Sequence, residues 1–210
     1  MSEESVDEEK RATLRRFAAV GAGGPLARLA GSDADASAPD DRETTSEVPA
    51  AIRGYLATTP GAHFSKLRDD LRLGTGEAQY HLRRLAERDA VDSWKDGDYR
   101  RYAPAGRFSD FERRTLGFLR RDTARGLLVE LLRDPDATGA ELADRLGVSA
   151  PTVSKYAAEL AEAGLLDRSD GYDLTRPETT LLLLVRYADS FGPDAVALAA
   201  DADELVEYSG

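Results

Sequence analysis

Cysteine is absent from this chain, and methionine, tryptophan, histidine and lysine are scarce, with one Met, one Trp, two His and four Lys among 210 residues. The absence of cysteine excludes a disulfide scaffold, a zinc site with thiolate ligands and a cysteine nucleophile. Two histidines do not suggest a metal centre. Because no apolar run approaches the roughly 18 to 20 residues that span a bilayer, we expect a soluble, cytoplasmic protein with no membrane partner.

Charge of one sign dominates the chain, with 39 acidic against 28 basic side chains and a formal net charge of −11. The hydrophobic content of 41% falls in periodic runs, which argues against a disordered acidic chain. The composition resembles that of cytoplasmic proteins of extreme halophiles, which carry an acid-coated surface. Residues 48–107 are the exception, with 11 basic and 8 acidic side chains. For binding a polyanion, the sign of the charge on the contacting segment matters more than the net charge of the whole chain.

The chain repeats itself at an offset of 75 residues. Residues 62–94 align without a gap on residues 137–169. The matched apolar positions are Leu67 with Leu142, Leu71 with Leu146, Leu73 with Val148, Ala78 with Val153, Leu85 with Leu160, and Val91 with Leu166. An ungapped run of this kind indicates two copies of one supersecondary unit.

The second copy indicates what the unit is. A capping box at residues 138–141 predicts a short helix that ends at Gly147. Ser149 then caps a longer helix, and Asp170-Gly171 predicts the turn of a hairpin. With an apolar stripe at residues 127–132, the order is helix, helix, tight turn, helix and hairpin, a helix-turn-helix with a wing.

The first copy has the same parts. They are helical stripes at residues 52–56 and 64–71, a helix at 74–88, and strands at 91–95 and 99–103 that pair around Asp96-Gly97. The predicted fold is therefore mainly α with small β-wings (α+β), with two tandem winged helix-turn-helix domains joined by a helix and followed by C-terminal helices. The predicted divisions are an N-terminal helix and flexible acidic linker (1–47), winged helix 1 (48–105), a linker helix (106–121), winged helix 2 (122–176) and a C-terminal helical extension (177–210).

Both long helices of these units resemble a known motif. Residues 149–156, Ser-Ala-Pro-Thr-Val-Ser-Lys-Tyr, with Leu160 and the Gly-Leu-Leu at 164–166, resemble the recognition helix of winged-helix regulators in the ArsR and MarR superfamilies. Residues 79–85 resemble its counterpart in the first copy. Over roughly residues 48–190 the chain is similar to tandem winged-helix transcriptional regulators of haloarchaea, which implies a DNA-binding regulator. Asp89 departs from the family's usual Gly, and no metal-sensing Cys or His cluster is present.

Helical spacing separates two faces of the first recognition helix. Ala78, Leu82 and Leu85 mark the core side. The opposite side and the wing supply the expected DNA-binding residues: Thr75, Gly76, Gln79, Tyr80, Arg83, Arg84, Lys95, Arg100 and Arg101. Gln can form paired hydrogen bonds with the edge of adenine, and Arg with that of guanine. The basic wing residues are expected to bind phosphates. A solvated polar face without a target is the alternative, but the basic segment coincides with this helix and wing.

The second copy is ambiguous. Its possible DNA contacts are Ser149, Thr152, Ser154 and Lys155. Its wing carries Asp167, Asp170 and Asp173 beside Arg168, and these acids would repel phosphate. The sequence is compatible with a few helix-terminus contacts or with a structural or dimerising module.

The C-terminal segment is apolar at helical spacing. Residues 181–185 and a second helix predicted over 194–208 could cover the second core or form a two-fold interface. We expect a homodimer on double-stranded DNA, because palindromic sites match two-fold symmetry.

These observations favour a sequence-specific DNA-binding transcriptional regulator that reads the major groove. No nucleophile, base and orienter grouping suggests an enzyme, and we expect no cofactor. The alternative is a winged-helix protein-interaction adaptor of the transcription machinery that does not read DNA.

Overall fold

The computed structural model describes the backbone of residues 3–22 and 41–202, with side chains for residues 8–20 and 47–202. The chain divides into two compact units, residues 1–107 and residues 108–210. Each unit contains one copy of the sequence repeat. None of the helices in the described ranges is long and apolar enough to cross a membrane.

Unit 1 is a helical domain with one small sheet. Its elements are α1 (Glu3–Ala22), α2 (Asp41–Thr58), β1 (Ala62–His63), α3 (Phe64–Asp70), α4 (Thr75–Ala86), β2 (Val91–Asp96) and β3 (Tyr99–Pro104). The strands are antiparallel in the order β1-β3-β2. This is a winged helix-turn-helix, as the sequence predicts, with an added N-terminal helix.

Unit 2 repeats the pattern with a shorter wing and extra helices. Its elements are α5 (Asp110–Leu119), α6 (Asp122–Arg133), α7 (Gly139–Leu146), α8 (Ala150–Glu162), β4 (Leu166–Asp167), β5 (Asp173–Leu174), α9 (Pro177–Arg186), α10 (Ala188–Phe191) and α11 (Pro193–Ala200). The two strands pair antiparallel.

The repeat extends to the backbone positions that begin and end the helices. The N-caps are His63 and Thr138 for the first helix of each turn, and Gly74 and Ser149 for the second. The left-handed positions are Arg72 (φ 53°) and Gly147 (φ 63°), then Asp89 (φ 51°) and Gly164 (φ 72°). All four pairs are 75 residues apart. Asp89 therefore adopts the conformation that glycine adopts in the second copy, at the cost that an L-residue incurs there.

The N-terminal helix differs from the sequence-based expectation, which set residues 1–47 apart from the domains. Leu14 is buried in the core of unit 1, and the ring of Phe17 packs edge-on against Tyr55 with centroids 5.3 Å apart. Residues 41–47, predicted as linker, begin α2 instead. The remainder of the predicted linker, residues 23–40, lies outside the described residues.

The first wing also differs in detail from the prediction. Asp96 pairs with Tyr99 across the hairpin, so Gly97-Asp98 forms the two-residue turn one position later than expected. Gly97 has a φ of +58°, which glycine adopts at little cost. The added strand β1, too short to predict from its pattern, pairs with β3 and makes β3 the central strand.

The C-terminal helices close the core of unit 2. Leu183, Leu184 and Leu198 are buried. Arg125 of α6 is also buried and donates hydrogen bonds to the Asp194 carboxylate at 2.8 and 2.9 Å, which holds the start of α11. The last helix was predicted to reach residue 208, and the structure ends α11 at Ala200, with residues 203–210 outside the described part.

Replacing Gly164 by Ala tests the left-handed position. We expect the free energy of unfolding to fall by about 1–2 kcal/mol, because an L-residue in this conformation costs about that much. A Cβ at Gly164 would meet no atom within 4 Å, so a clash contributes nothing.

The matched control is Gly76→Ala in α4, where the added Cβ also has open space. It should leave the free energy of unfolding unchanged or raise it by up to about 1 kcal/mol. Urea unfolding followed by circular dichroism measures both. Equal effects would show that backbone conformation is not what requires glycine at 164.

Candidate nucleic-acid interface

Helix α4 presents one apolar and one polar face. Ala78, Leu82 and Leu85 are buried in the core of unit 1. The residues predicted to meet DNA from this helix are all exposed: Thr75, Gly76, Gln79, Tyr80, Arg83 and Arg84. The structure therefore brings six of the nine predicted residues together on one open helix surface.

The single acidic side chain of α4 is neutralised within unit 1. The carboxylate of Glu77 accepts a hydrogen bond from the backbone N–H of Gly74 at 3.2 Å, which caps the helix. Lys10 of α1 places its Nζ 3.0 Å from the same carboxylate. The helix thus lacks an uncompensated negative charge next to its polar face, which favours the approach of an anion.

Two arginines of α4 are held differently. The side chain of Arg83 forms no ion pair or hydrogen bond within the described part of the chain, so its planar guanidinium is available to an external acceptor. Arg84 donates from Nη1 to the Tyr80 hydroxyl at 2.6 Å, and its guanidinium carbon lies 5.5 Å from the Tyr80 ring centre. Tyr80 itself is 49% exposed.

The wing adds a pair of cations. Lys95 and Arg100 are exposed and directly opposite each other in the β2–β3 ladder. Arg100 donates to the Ser93 hydroxyl at 3.2 Å, which orients the guanidinium without neutralising it. Like charges directly opposite in a sheet are destabilising. A bound anion would relieve the repulsion between Lys95 and Arg100.

Arg101 does not belong with these residues, although the sequence suggested it. It is 2% exposed, pairs with Asp96 and donates from Nη1 to the Gly61 carbonyl at 3.0 Å. The reason is alternation along β3: Arg101 shares a face with buried Ala103, whereas Arg100 lies on the other. That period-two signal is present in the sequence and could have separated the two arginines.

The corresponding helix of unit 2 uses its polar groups internally. Ser149 Oγ accepts from the Thr152 N–H at 3.4 Å and lies 2.9 Å from the Thr152 hydroxyl. Lys155 has its Nζ 3.9 Å from a Glu159 carboxylate oxygen. Of the four residues proposed as a second contact, Ser154 alone is exposed with neither a side-chain hydrogen bond nor an ion pair in the described part of the structure.

The wing of unit 2 is acidic where that of unit 1 is basic. Asp167 and Asp173 stand opposite each other in the two-residue ladder. The backbone N–H of Ser169, 2.8 Å from Oδ1, and then its side chain lower the pKa of Asp167, so the carboxylate stays charged. Such a pair repels phosphate.

The two histidines of unit 1 take part in its folded structure: one is buried and the other caps a helix. Burial, partly opposed by Glu77 and assisted by Arg84, lowers the pKa of His81 below its ordinary value. His63 caps α3 by accepting from the Lys66 N–H at Nδ1, 3.3 Å away. No group of three or more His, Asp or Glu side chains in the described ranges is placed to hold a metal ion.

Comparison with known proteins agrees with this architecture. Residues 46–116 match a family model described as an N-terminal HTH domain, and residues 117–174 match the model of the MarR family. No curated protein and no solved structure matches the chain. The prediction of two helix-turn-helix domains in tandem is confirmed, and the resemblance to MarR-type regulators is confirmed for the second.

The reassignment of Arg101 is tested by stability. Arg101→Ala should lower the free energy of unfolding by on the order of 3 kcal/mol, because it removes a buried ion pair with Asp96 and the hydrogen bond to the Gly61 carbonyl. Arg100→Ala is the matched control and should change it by less than about 0.5 kcal/mol. Urea unfolding compares the two. An Arg101→Ala variant as stable as Arg100→Ala would show that Arg101 does not stabilise the fold and belongs with the expected DNA-binding residues.

Proposed function

We propose that this chain, a tandem helix-turn-helix protein with a MarR-type second domain, binds double-stranded DNA in a sequence-specific way and regulates transcription without enzymatic activity. The observation that carries the proposal is the exposed face of α4, which includes Gln79 and an unpaired Arg83, together with the exposed cations Lys95 and Arg100 in the wing of the same unit. We propose that the protein works in the cytoplasm.

Helix α4 enters the major groove in this proposal. Gln79 offers the paired donor and acceptor that match adenine, and Arg83 the two donors that match guanine. Gly76 has no side chain, and no protein atom lies within 4 Å of the place where a Cβ would be. The backbone of α4 can therefore approach the bases closely at this residue. Thr75, Tyr80 and Arg84 contact the groove edge from the same surface.

The wing binds the backbone rather than the bases. Lys95 and Arg100 present two cations that neutralise phosphates independently of sequence. The acidic wing of unit 2 repels phosphate. Unit 2 therefore contributes at most contacts from the start of α8, by Ser149, Thr152, Ser154 and Lys155.

Short contacts suit the acidic character of the whole chain. We propose a halophilic source, in which the cytoplasm is rich in salt. At 1 M salt the screening length is about 3 Å, so distant acids neither repel DNA nor attract counter-charges strongly. Contacts at bonding distance from Arg83, Lys95 and Arg100 then decide affinity.

The recognition helix is tested on duplexes selected by the wild-type protein from a random library. Gln79→Ala and Arg83→Ala should each weaken binding to the selected duplex by about 1–3 kcal/mol and narrow the gap to a scrambled duplex. Fluorescence anisotropy measures both affinities.

Arg168→Ala in the wing of unit 2 is the matched control, and we expect it to bind the selected duplex as the wild type does. If Gln79→Ala and Arg83→Ala also bind it unchanged, α4 does not read DNA. Salt-insensitive binding to protein partners, with no selectable duplex, would favour the adaptor instead.

We further propose that the C-terminal helices pair two copies of the chain. Among the large exposed apolar residues of the described ranges, three lie here: Leu182 (61% exposed) and Val185 (38%) in α9, and Val196 (43%) in α11. A two-fold contact brings the same patch together from both copies. It would also present two α4 helices to a palindromic site.

The Leu182→Asp/Val185→Asp double variant should be a folded monomer in light scattering, because both side chains are exposed. Val20→Asp, which changes an exposed apolar residue of α1, is the control and should remain a dimer. A wild-type protein that is monomeric at every concentration tested would contradict the pairing.

A further inference from the structure

A pocket of about 340 Å³ lies beside the recognition helix, between α2 and the C-terminal half of α4. Pro49 and Leu85 form its apolar part, and Arg53, Arg84 and Arg88 its cationic part. The volume falls at the lower end of small-molecule sites, which hold a ligand of metabolite size. The wall contains no carboxylate.

The three arginines lack counter-charges. None of them forms an ion pair within the described part of the chain, whereas Arg68, Arg125 and Arg145, for example, each do. Arg53 and Arg88 make no side-chain hydrogen bond to described residues either. Three guanidinium groups around one concave surface repel each other unless an anion lies between them, and charge-assisted bonds to phosphate or carboxylate oxygens are the strong contacts they can make.

The pocket is not the reading face of α4. Arg84 lies in the last turn of α4 and Arg88 just after the helix ends at Ala86, and both line the pocket with Arg53 of α2. Gln79 and Arg83 belong to the exposed face described above and do not line the pocket. Arg53 and Arg88 are therefore placed for something other than base edges, whereas Arg84 lies at the border of the two surfaces.

Tyr80 belongs both to the pocket and to the exposed face of α4. Its hydroxyl accepts from Arg84 Nη1 at 2.6 Å, and its ring lies edge-on to the buried His81 ring, with centroids 5.1 Å apart. An anion that draws the Arg84 guanidinium into the pocket competes for this hydrogen bond. Release of the bond frees Tyr80, whose exposed ring lies on the proposed DNA surface.

We propose that this pocket binds a small molecule carrying a multivalent oxyanion, phosphate in type, and that its occupancy changes DNA affinity through the Arg84–Tyr80 contact. The second half rests on the proposed DNA-binding function, whereas the first half stands without it. The ligand is held by Arg53, Arg84 and Arg88 and packs on Pro49 and Leu85.

The full-length protein without DNA is titrated calorimetrically with pyrophosphate and, separately, with citrate, at fixed ionic strength in a buffer free of other multivalent anions. We expect one saturable site for pyrophosphate. The Arg53→Gln/Arg88→Gln double variant should bind at least tenfold more weakly, and both residues are exposed, so the fold is retained. The matched control, Arg145→Gln/Arg168→Gln in unit 2, should bind as the wild type does.

DNA binding is then measured with and without saturating pyrophosphate, with chloride keeping the ionic strength constant, because DNA affinity depends on salt. We expect the wild-type Kd to change by at least threefold. The Arg53→Gln/Arg88→Gln variant should have the wild-type Kd, within about twofold, in the absence of ligand and show no change on adding it.

Several outcomes would overturn the proposal. Absence of saturable binding, or equal binding by the Arg53→Gln/Arg88→Gln and control variants, removes the pocket as a site. Loss of DNA affinity in the double variant without pyrophosphate binding by the wild type would assign the arginines to DNA phosphates instead. Saturable, arginine-dependent pyrophosphate binding by a protein that binds no duplex would support the pocket and reject the proposed function.

Discussion

Burial of one side of α4 is the constraint on which unit 1 depends. Ala78, Leu82 and Leu85 complete the core formed by α2 and α3, and this fixes the rotation of the helix about its axis. Once that stripe is buried, helical periodicity leaves Gln79 and Arg83 outside. The residues that fold the domain thereby decide which residues can meet a partner.

The two units share backbone features and differ in charge. The caps and left-handed turns of the two units recur 75 residues apart, and a glycine in unit 2 is matched by Asp89 in unit 1. On that shared scaffold, Lys95 and Arg100 face each other in one wing, whereas Asp167 and Asp173 face each other in the other. The fold alone therefore does not assign a role to either unit. We infer from the charges that unit 1 binds DNA and unit 2 supports assembly.

The repeat, the helix boundaries within it and the two faces of α4 could be predicted because they depend on local signals. Capping residues, turn glycines and apolar spacing act within a few positions along the chain. The burial of Arg101 could not be assigned by charge, because it depends on the alternation of faces along β3, and the position of β3 as the central strand depends on pairing with the short strand β1. The packing of Leu14 was missed for a related reason: α1 joins a core that residues more than 30 positions away create. The cations of the pocket likewise come from α2, from α4 and from the turn after α4, which only the fold brings together.

The central claim, that unit 1 is the DNA reader, is tested most directly by the salt dependence of binding. The observed association constant is measured from low to high salt for the wild type, for Lys95→Ala/Arg100→Ala and for the matched Lys155→Ala/Arg168→Ala change in unit 2. The account predicts that the unit 1 variant loses about 0.9 of the log–log slope per phosphate contact removed, with similar loss on every duplex. The unit 2 variant should keep the wild-type slope. A slope that falls with the unit 2 variant and not with the unit 1 variant would contradict the account.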